Sequence, residues 1–409
     1  MNILEKLKRK YTDDQIKKLM IHLQKRVDAR KTKSNHCGIV FDILHYCDLA
    51  CIGCGTDARY VNTLIVNDPR PTLKDIEKVF KKIKRYQEKT NKSVFINIGG
   101  GEPFMRFDIL EVLKMAAEYF TPKSVGVDTN GSLPRSFELI SKAMPYLDYL
   151  GISVNGLENY HNWWSGNSKI NAFRNSTSVV KRLCENSKWR KILEVSSVST
   201  TKNYNEIPQL IEFLSSLGVE NYSIHRAMPV GRMAKHIDLI PNSEQYFELL
   251  IAMIEAGENH KMNIHLHHSI ESIYATLLLK LRTYLPDKVG NPDMASSIGI
   301  EPEGLVVFDP WCTTGVWKTL NAGNILDDEI ELYDLLETKN GSILDAAKVY
   351  TAPNVRCNGC SHECSGGSRI AAAVNYLQDI NTDEITITDI YGGMQEVDPA
   401  CPLYKGEVK

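Results

Sequence analysis

From residue 38 onward, short apolar runs alternate with longer segments whose apolar positions recur every three or four residues. "GIVFDIL" at 38–44 reads as a buried strand. "TLKDIEKVFKKIKRYQEK" then sets Leu73, Ile76, Val79, Phe80, Ile83 and Tyr86 on one helical face, opened by Thr72 as N-cap. "SVFINI", "SVGVDT", "YLGISV", "ILEVSSVST" and "NYSIHR" read as further strands. Helical segments at 108–119, 134–143, 170–185 and 206–216 lie between them. Six strands separated by helices demand parallel pairing with right-handed crossovers, in an open doubly wound sheet or a barrel.

The rhythm breaks after Arg226. A helical stretch at 243–257, a short "MNIHLH" strand and a polar segment at 286–297 lead into "IGIEPEGLVVFDPWC", a hairpin pattern with Glu303-Gly304 at its turn. Residues 2–30 repeat apolar positions (Ile3, Leu4, Leu7, Tyr11, Ile16, Leu19, Met20, Leu23) at helical spacing with lysines between them. That pattern predicts a basic amphipathic helix packed on the main body with its charges in water; a basic arm for an acidic peptide is the sharper reading.

Composition changes this picture little. A chain of 409 residues with 43% hydrophobic and 24% charged residues and a net charge of -2 is ordinary for a globular protein. It gives no reason to expect nucleic acid or an anionic membrane as partner. Basic charge is local, with eleven Lys/Arg against four Asp/Glu in residues 1–33. No apolar run approaches the roughly 20 residues of a membrane span, and the N-terminus is too charged for a signal peptide, so a cytoplasmic location is expected.

Ten cysteines in that compartment point to metal rather than disulfides, because they cluster. Cys47, Cys51 and Cys54 fall in "HYCDLACIGCGTD", directly after the first strand, where α/β folds keep their chemistry. Structural zinc would need a fourth protein ligand; "GTDARY" supplies none, and His45 is the nearest candidate. Three cysteines on a [4Fe-4S] cluster leave one iron open to an exogenous ligand.

This C-x3-C-x2-C spacing resembles the hallmark of the radical S-adenosylmethionine (radical SAM) superfamily. The resemblance implies that the open iron chelates SAM, whose reductive cleavage gives a 5'-deoxyadenosyl radical that abstracts hydrogen from substrate. "GGGEP" (Gly99, Gly100, Gly101, Glu102, Pro103) is similar to the family motif that contacts the methionine amino group. Its glycines would allow close backbone approach, and Glu102 would accept from an ammonium. Weaker matches at later strand ends make Ser153, Asn155 and Arg226, the last in "HRAMPVGR", candidate SAM contacts. One departure is Gly53, where the family places an aromatic residue beside the adenine. Tyr46 or Tyr60 would have to supply that packing.

"CNGCSHEC" (Cys357, Cys360, Cys364) followed by Cys401 would close a zinc site on spacing alone. Its context, "IEPEGLVVFDPWC", "NAGNI", "CSGGS" and "CPLY", is similar to the SPASM-type extension of radical SAM maturases. The resemblance implies one auxiliary [4Fe-4S] cluster held by these four cysteines. Residues 326–329 ("LDDE") and Ser368 stand where two ligands of another cluster would be, which leaves Cys312 as a buried thiol. A fully ligated cluster suits electron transfer, hence net oxidation. No catalytic acid or base can be assigned, although Asp327 and Asp328 lie near the family's position for one.

The expectation is therefore an α/β protein. A basic helical arm (1–35) precedes a radical SAM core (36–235) forming a partial (β/α)6 TIM-like barrel. A helical linker with the end of the barrel (236–297) and a small cysteine-rich, SPASM/twitch-like α+β extension (298–409) follow. The expected function is a radical SAM oxidoreductase that oxidises or cross-links a ribosomally made peptide, reduced by flavodoxin or ferredoxin. Only about 35 residues precede the first strand, too few for a leader-binding domain of roughly 80 residues, so a separate leader-peptide-binding protein is an expected partner. The alternative is a dehydrogenase or deoxygenase of aminosugars or aminocyclitols, with His265, His267 and His268 near a polar pocket.

Overall fold

The computed structural model describes residues 8–31, 36–67, 70–120, 124–167, 169–266, 274, 278–279, 297–307, 309–337, 369–377, 385–394, 396–399 and 401. Strand β1 (His36–Asp42) leads through the two-residue pair β2 (Tyr46–Cys47) and β3 (Arg59–Tyr60) to β4 (Ser93–Gly99). Then come β5 (Val125–Thr129), β6 (Tyr149–Ser153), β7 (Leu193–Ser199), β8 (Asn221–Arg226) and β9 (Asn263–Leu266). Ser297–Ile300, Leu305–Val307 and Asn321–Asn324 form β10, β11 and β12. One ten-stranded sheet runs β12-β11-β10-β1-β4-β5-β6-β7-β8-β9. The six strands read from the sequence thus lie side by side in chain order, all parallel.

The crossovers are helical. In order along the chain, the helices are α1 (Asp13–Lys31), α2 (Leu73–Thr90), α3 (Ile109–Phe120), α4 (Ser136–Ala143), α5 (Glu158–Ser165) and α6 (Ala172–Cys184). They continue with α7 (Ser187–Ile192), α8 (Ile207–Ser216), α9 (Ser243–His260), α10 (Leu332–Glu337), α11 (Arg369–Leu377) and α12 (Ile387–Gly393). Alternation along each strand sends one set of side chains under these helices. Phe41 of β1 meets Phe80 of α2 edge-on at 6.2 Å, and Phe80 meets Phe120 of α3 at 5.4 Å. Each such fully buried ring contributes about 1.5–3 kcal/mol. Thr72 caps α2 as predicted, in a reciprocal box with Asp75.

Two boundaries differ from the sequence reading. The N-terminal periodicity is continuous over 2–30, yet α1 begins at Asp13, because Thr12 and Gln15 exchange capping hydrogen bonds. Ile16, Leu19 and Leu23 are buried, Tyr11 meets Phe247 of α9 at 5.1 Å, and Lys18 reaches Glu258 at 3.4 Å. The second difference lies at residue 298. Strand β10 pairs parallel to β1 and carries the predicted hairpin β10–β11, with Gly304 at positive φ in the turn. The first strands of the expected extension are therefore bonded into the core sheet. Among the described residues, no helix is long and apolar enough to cross a membrane.

Candidate functional site

Parallel strands bring all their C-terminal ends to one edge, and the candidate residues gather there. After β1 the chain is held by Ile43 N–H, which donates to Gly99 O at 3.0 Å. Arg106, fully buried, donates to Ile43 O and Pro71 O, both at 2.9 Å, while Asp108 takes the rest of its guanidinium. The three-cysteine loop springs from this support. Strand β2 pairs with β3, so residues 48–58 close into a loop with Cys47 buried at its base and Cys51 and Cys54 half-buried.

Three contacts fasten that loop. Ala50 and Ile52 donate to Ser165 O and Trp164 O of α5 at 3.0 and 2.9 Å. Asp48 accepts from Asn130 Nδ2 and Ser132 Oγ, each at 2.8 Å, beyond the end of β5. Arg232 donates to Cys51 O at 2.8 Å and Ala58 O at 2.7 Å, and its own N–H reaches Cys54 O at 2.9 Å. Gly231 permits this approach: its φ is +56°, and a Cβ there would stand 2.4 Å from Cys54 O.

The "GGGEP" turn lies against the same loop. Gly101 N–H donates to Leu44 O at 2.7 Å and Glu102 N–H to Tyr46 O at 2.9 Å. A Cβ on Gly101 would sit 1.9 Å from Tyr46 O, so the close approach expected of these glycines is made to the protein's own backbone. Glu102 is buried and accepts from Thr129 Oγ1 (2.7 Å), Asn130 N–H (2.8 Å) and Phe104 N–H (3.1 Å). It thereby braces the end of β5 against the glycine turn, and Pro103 opens the 3-10 turn that follows. Burial, then Asp48, pushes its carboxyl up to about 8.

The other candidates part company. Ser153 is half-buried at the end of β6. Asn155 is buried just beyond, its Oδ1 accepting from Val198 N–H at 2.9 Å. Arg226 is buried, and its two terminal nitrogens donate to Asp398 at 2.6 and 2.5 Å, so its fork is filled by a carboxylate of this chain. In "HRAMPVGR" it is Arg232 that reaches the cysteine loop. Tyr60 is exposed, and the space before Cys54 belongs instead to Trp164 and Met233; a Cβ on Gly53 would meet their side chains at 2.3 and 2.4 Å. The Asp328 carboxylate lies 2.5 Å from Lys78 of α2, whereas Asp327 meets Lys82 through its backbone carbonyl and its Oδ1 accepts from Glu329 N–H at 3.1 Å. Cys312 is fully buried. Cys401 is half-buried, whereas Cys357, Cys360, Cys364, His267 and His268 lie outside the described residues. Asp48, Asn130, Trp164 and Arg232 escaped the sequence reading, since each acts through a partner distant in the chain.

The donor set suits an iron-sulfur cluster. Burial pushes the Cys51 thiol up to about 12, helped by Cys54, and burial, then Cys51, holds the Cys47 thiol well above its ordinary value. Thiols so placed ionise only against bound metal. Among the described residues no three His, Cys, Asp or Glu side chains converge on one ion-sized point. A cubane spreads its thiolates over separate irons and does not require such convergence.

Residues 42–214 match the family model described as the radical SAM superfamily. The chain is 27% identical over 197 residues to GTP 3',8-cyclase of Marinobacter nauticus (46% of this chain, 53% of that protein). It is 23% identical over 227 residues to mycofactocin maturase MftC of Mycolicibacterium smegmatis (54% of this chain, 52% of that protein). The chain thus spans about half the length of the curated relatives it matches. Among solved structures, the fold is similar to anSMEcpe with bound AdoMet (TM-score 0.63, 15% identity, covering 89% of this chain and 94% of that one). It is also similar to Streptococcus suis SuiB bound to precursor peptide SuiA (TM-score 0.61, 16% identity, 90% and 79%). The stretch that matches the radical SAM superfamily model, residues 42–214, holds the cysteine loop, the glycine turn and all of their braces but Arg232.

Proposed function

We propose that this chain is a radical SAM oxidoreductase that oxidises or cross-links a peptide. The observation that carries the reading is the three-cysteine loop, tied to the "GGGEP" turn by Gly101 N–H and Glu102 N–H donating to Leu44 O and Tyr46 O ahead of Cys47, and by Thr56 Oγ1 donating to Gly100 O beyond Cys54. Cys47, Cys51 and Cys54 would hold a [4Fe-4S] cluster with one open iron. Reduced and loaded with SAM, that centre supplies a 5'-deoxyadenosyl radical for hydrogen abstraction. The protein's part is to hold and orient. Arg232 and the α5 carbonyls fix the loop, Glu102 fixes the glycine turn, and Asn155 and Ser153 present polar groups at the next strand end.

Cys357, Cys360, Cys364 and Cys401 are proposed to hold one auxiliary [4Fe-4S] cluster that would take up the substrate electron, with a flavodoxin or ferredoxin as the reductant of the enzyme. The peptide reading draws on the neighbours: SuiB has been solved bound to precursor peptide SuiA, anSMEcpe with a bound Cp18Cys peptide, and MftC is a maturase. A separate leader-peptide-binding protein would present the substrate. The second reading, a small-molecule substrate such as an aminosugar, draws on the similarity to GTP 3',8-cyclase.

Anaerobic reconstitution tests the core of this. About eight irons per chain are expected, with reductant-dependent formation of 5'-deoxyadenosine from SAM. Cys47→Ser, Cys51→Ser or Cys54→Ser should abolish that cleavage while leaving about four irons. Tightly bound zinc without SAM cleavage would overturn the assignment. A loss of two mass units from a peptide rather than an aminosugar decides between the two substrate classes.

A further inference from the structure

Two sulfurs of the cysteine loop have hydrogen-bonding neighbours of their own. Cys47 Sγ accepts from Leu49 N–H at 3.4 Å and from Asn130 Nδ2 at 3.7 Å. Cys54 Sγ lies 3.4 Å from Thr56 Oγ1. Two of these three partners are side chains, which substitution can remove.

Asn130 is fixed in that contact. Its Oδ1 accepts from Ser132 N–H at 2.7 Å, which sets the orientation of the amide, and one Nδ2 hydrogen goes to Asp48 Oδ1 at 2.8 Å. Its backbone N–H donates to Glu102 Oε2 at 2.8 Å, and its carbonyl accepts from Ser176 Oγ at 2.6 Å. The second Nδ2 hydrogen is left for Cys47 Sγ. Thr56 has one hydroxyl hydrogen and two neighbouring acceptors. Gly100 O stands 3.2 Å away, longer than the roughly 2.5–3.0 Å of a good O–H···O bond, so this carbonyl holds the hydrogen loosely. A Cys54 thiol can itself donate to Thr56, whereas an iron-bound thiolate only accepts. With metal on the loop, the hydroxyl becomes the donor.

We infer that Thr56 and Asn130 are positioning residues that set the reduction potential of the cluster on this loop, by donating hydrogen bonds to Cys54 Sγ and Cys47 Sγ. The inference rests on the radical SAM reading for the presence of the cluster; the donor pattern does not. A donor on a thiolate stabilises the reduced cluster, with its added negative charge, more than the oxidised one, and so raises the potential. The Asp48 carboxylate, its Oδ1 3.8 Å from Cys47 Sγ, works the other way, and the Asn130 amide serves both groups. Losing Asn130 therefore removes a donor and uncovers a negative charge at once.

The test is an EPR-monitored redox titration of the anaerobically reconstituted full chain, following the cluster whose signal changes on adding SAM. Thr56→Val should keep its iron and show a ratio of reduced to oxidised cluster about tenfold lower at the parent's midpoint, which is about 59 mV for a one-electron couple. Thr56→Ser keeps the hydroxyl and should restore the parent's ratio. Asn130→Leu should fall at least as far as Thr56→Val. In deuterium oxide, pulsed EPR should show an exchangeable deuteron coupled to the reduced cluster in the parent and in Thr56→Ser that Thr56→Val has lost. Should Thr56→Val or Asn130→Leu fail to load iron, the other decides by the same criterion. An unchanged midpoint at full iron, or identical deuteron spectra in parent and Thr56→Val, overturns the inference and leaves these residues as fasteners of the loop. A chain in which no cluster responds to SAM overturns the radical SAM reading and the inference with it, so the two failures are separate results.

Discussion

Gly53→Phe strips the cysteine loop of its iron, although it restores the aromatic residue that the radical SAM pattern places before the third cysteine. The reason is occupancy. A Cβ at residue 53 would meet Trp164 Cη2 at 2.3 Å and Cζ2 at 2.9 Å, and Met233 Cε at 2.4 Å. Met233 can swing aside, but Trp164 is 3% exposed and stacks on Tyr160 with ring centroids 6.1 Å apart. Its backbone oxygen also accepts the Ile52 N–H, so displacing the ring pulls on the loop between Cys51 and Cys54.

Overpacking of a filled site costs about 1–3 kcal/mol when the surroundings can yield. Here yielding means moving metal ligands. Iron content and 5'-deoxyadenosine formation should both fall at least about tenfold in Gly53→Phe. Trp164→Ala alone should lower stability by about 3–5 kcal/mol by opening a cavity. Combining the two should recover iron, because the new ring takes the vacated space, and the effects will not add. Full iron loading in the single Gly53→Phe variant would show that Trp164 does not define this wall.

That exchange marks where the sequence stops being informative. The six parallel strands were legible because "SVFINI" or "YLGISV" is too short and too apolar to be a surface helix, and each is followed by a segment of helical period. The cysteine loop was legible because three thiols at fixed spacing have few other uses. Trp164 was not, since nothing local ties an aromatic residue on α5 to a glycine 111 positions earlier. The start of α1 was hidden differently: the capping pair Thr12 and Gln15 interrupts a helix that periodicity alone would carry through.

The partner of Arg226 was not legible, although the parity that requires one was. Tyr222, Ile224 and Arg226 share one face of β8 and are all buried, whereas His225 lies on the other face, half-buried. An arginine in phase with core residues requires a buried partner, which strand alternation predicts without naming.

The partner turns Arg226 into a latch between the core and the C-terminal segment, and breaking it has a large expected effect. Arg226 and Asp398 are 1% and 0% exposed, joined by two hydrogen bonds of 2.6 and 2.5 Å. Burial works against the charged guanidinium, but Asp398 outweighs it and raises the Arg226 pKa further above its ordinary value, so the guanidinium stays charged across the working pH range. Removing one member leaves the other charge buried, at a cost of about 3–5 kcal/mol. Arg226→Met and Asp398→Asn should each lower the thermal midpoint by that much stability. Arg226→Met combined with Asp398→Leu should recover most of it, since two apolar groups leave no stranded charge. The latch also reaches the second cysteine cluster, because Cys401 N–H donates to Asp398 O at 2.9 Å. If Cys401 ligates the proposed auxiliary cluster, the single variants should fall from about eight irons toward about four, with SAM cleavage at the cysteine loop retained. Single variants that unfold within about 1 kcal/mol of the parent would mean that the pair is not held out of water, and iron content unchanged in a destabilised variant would separate Cys401 from the cluster.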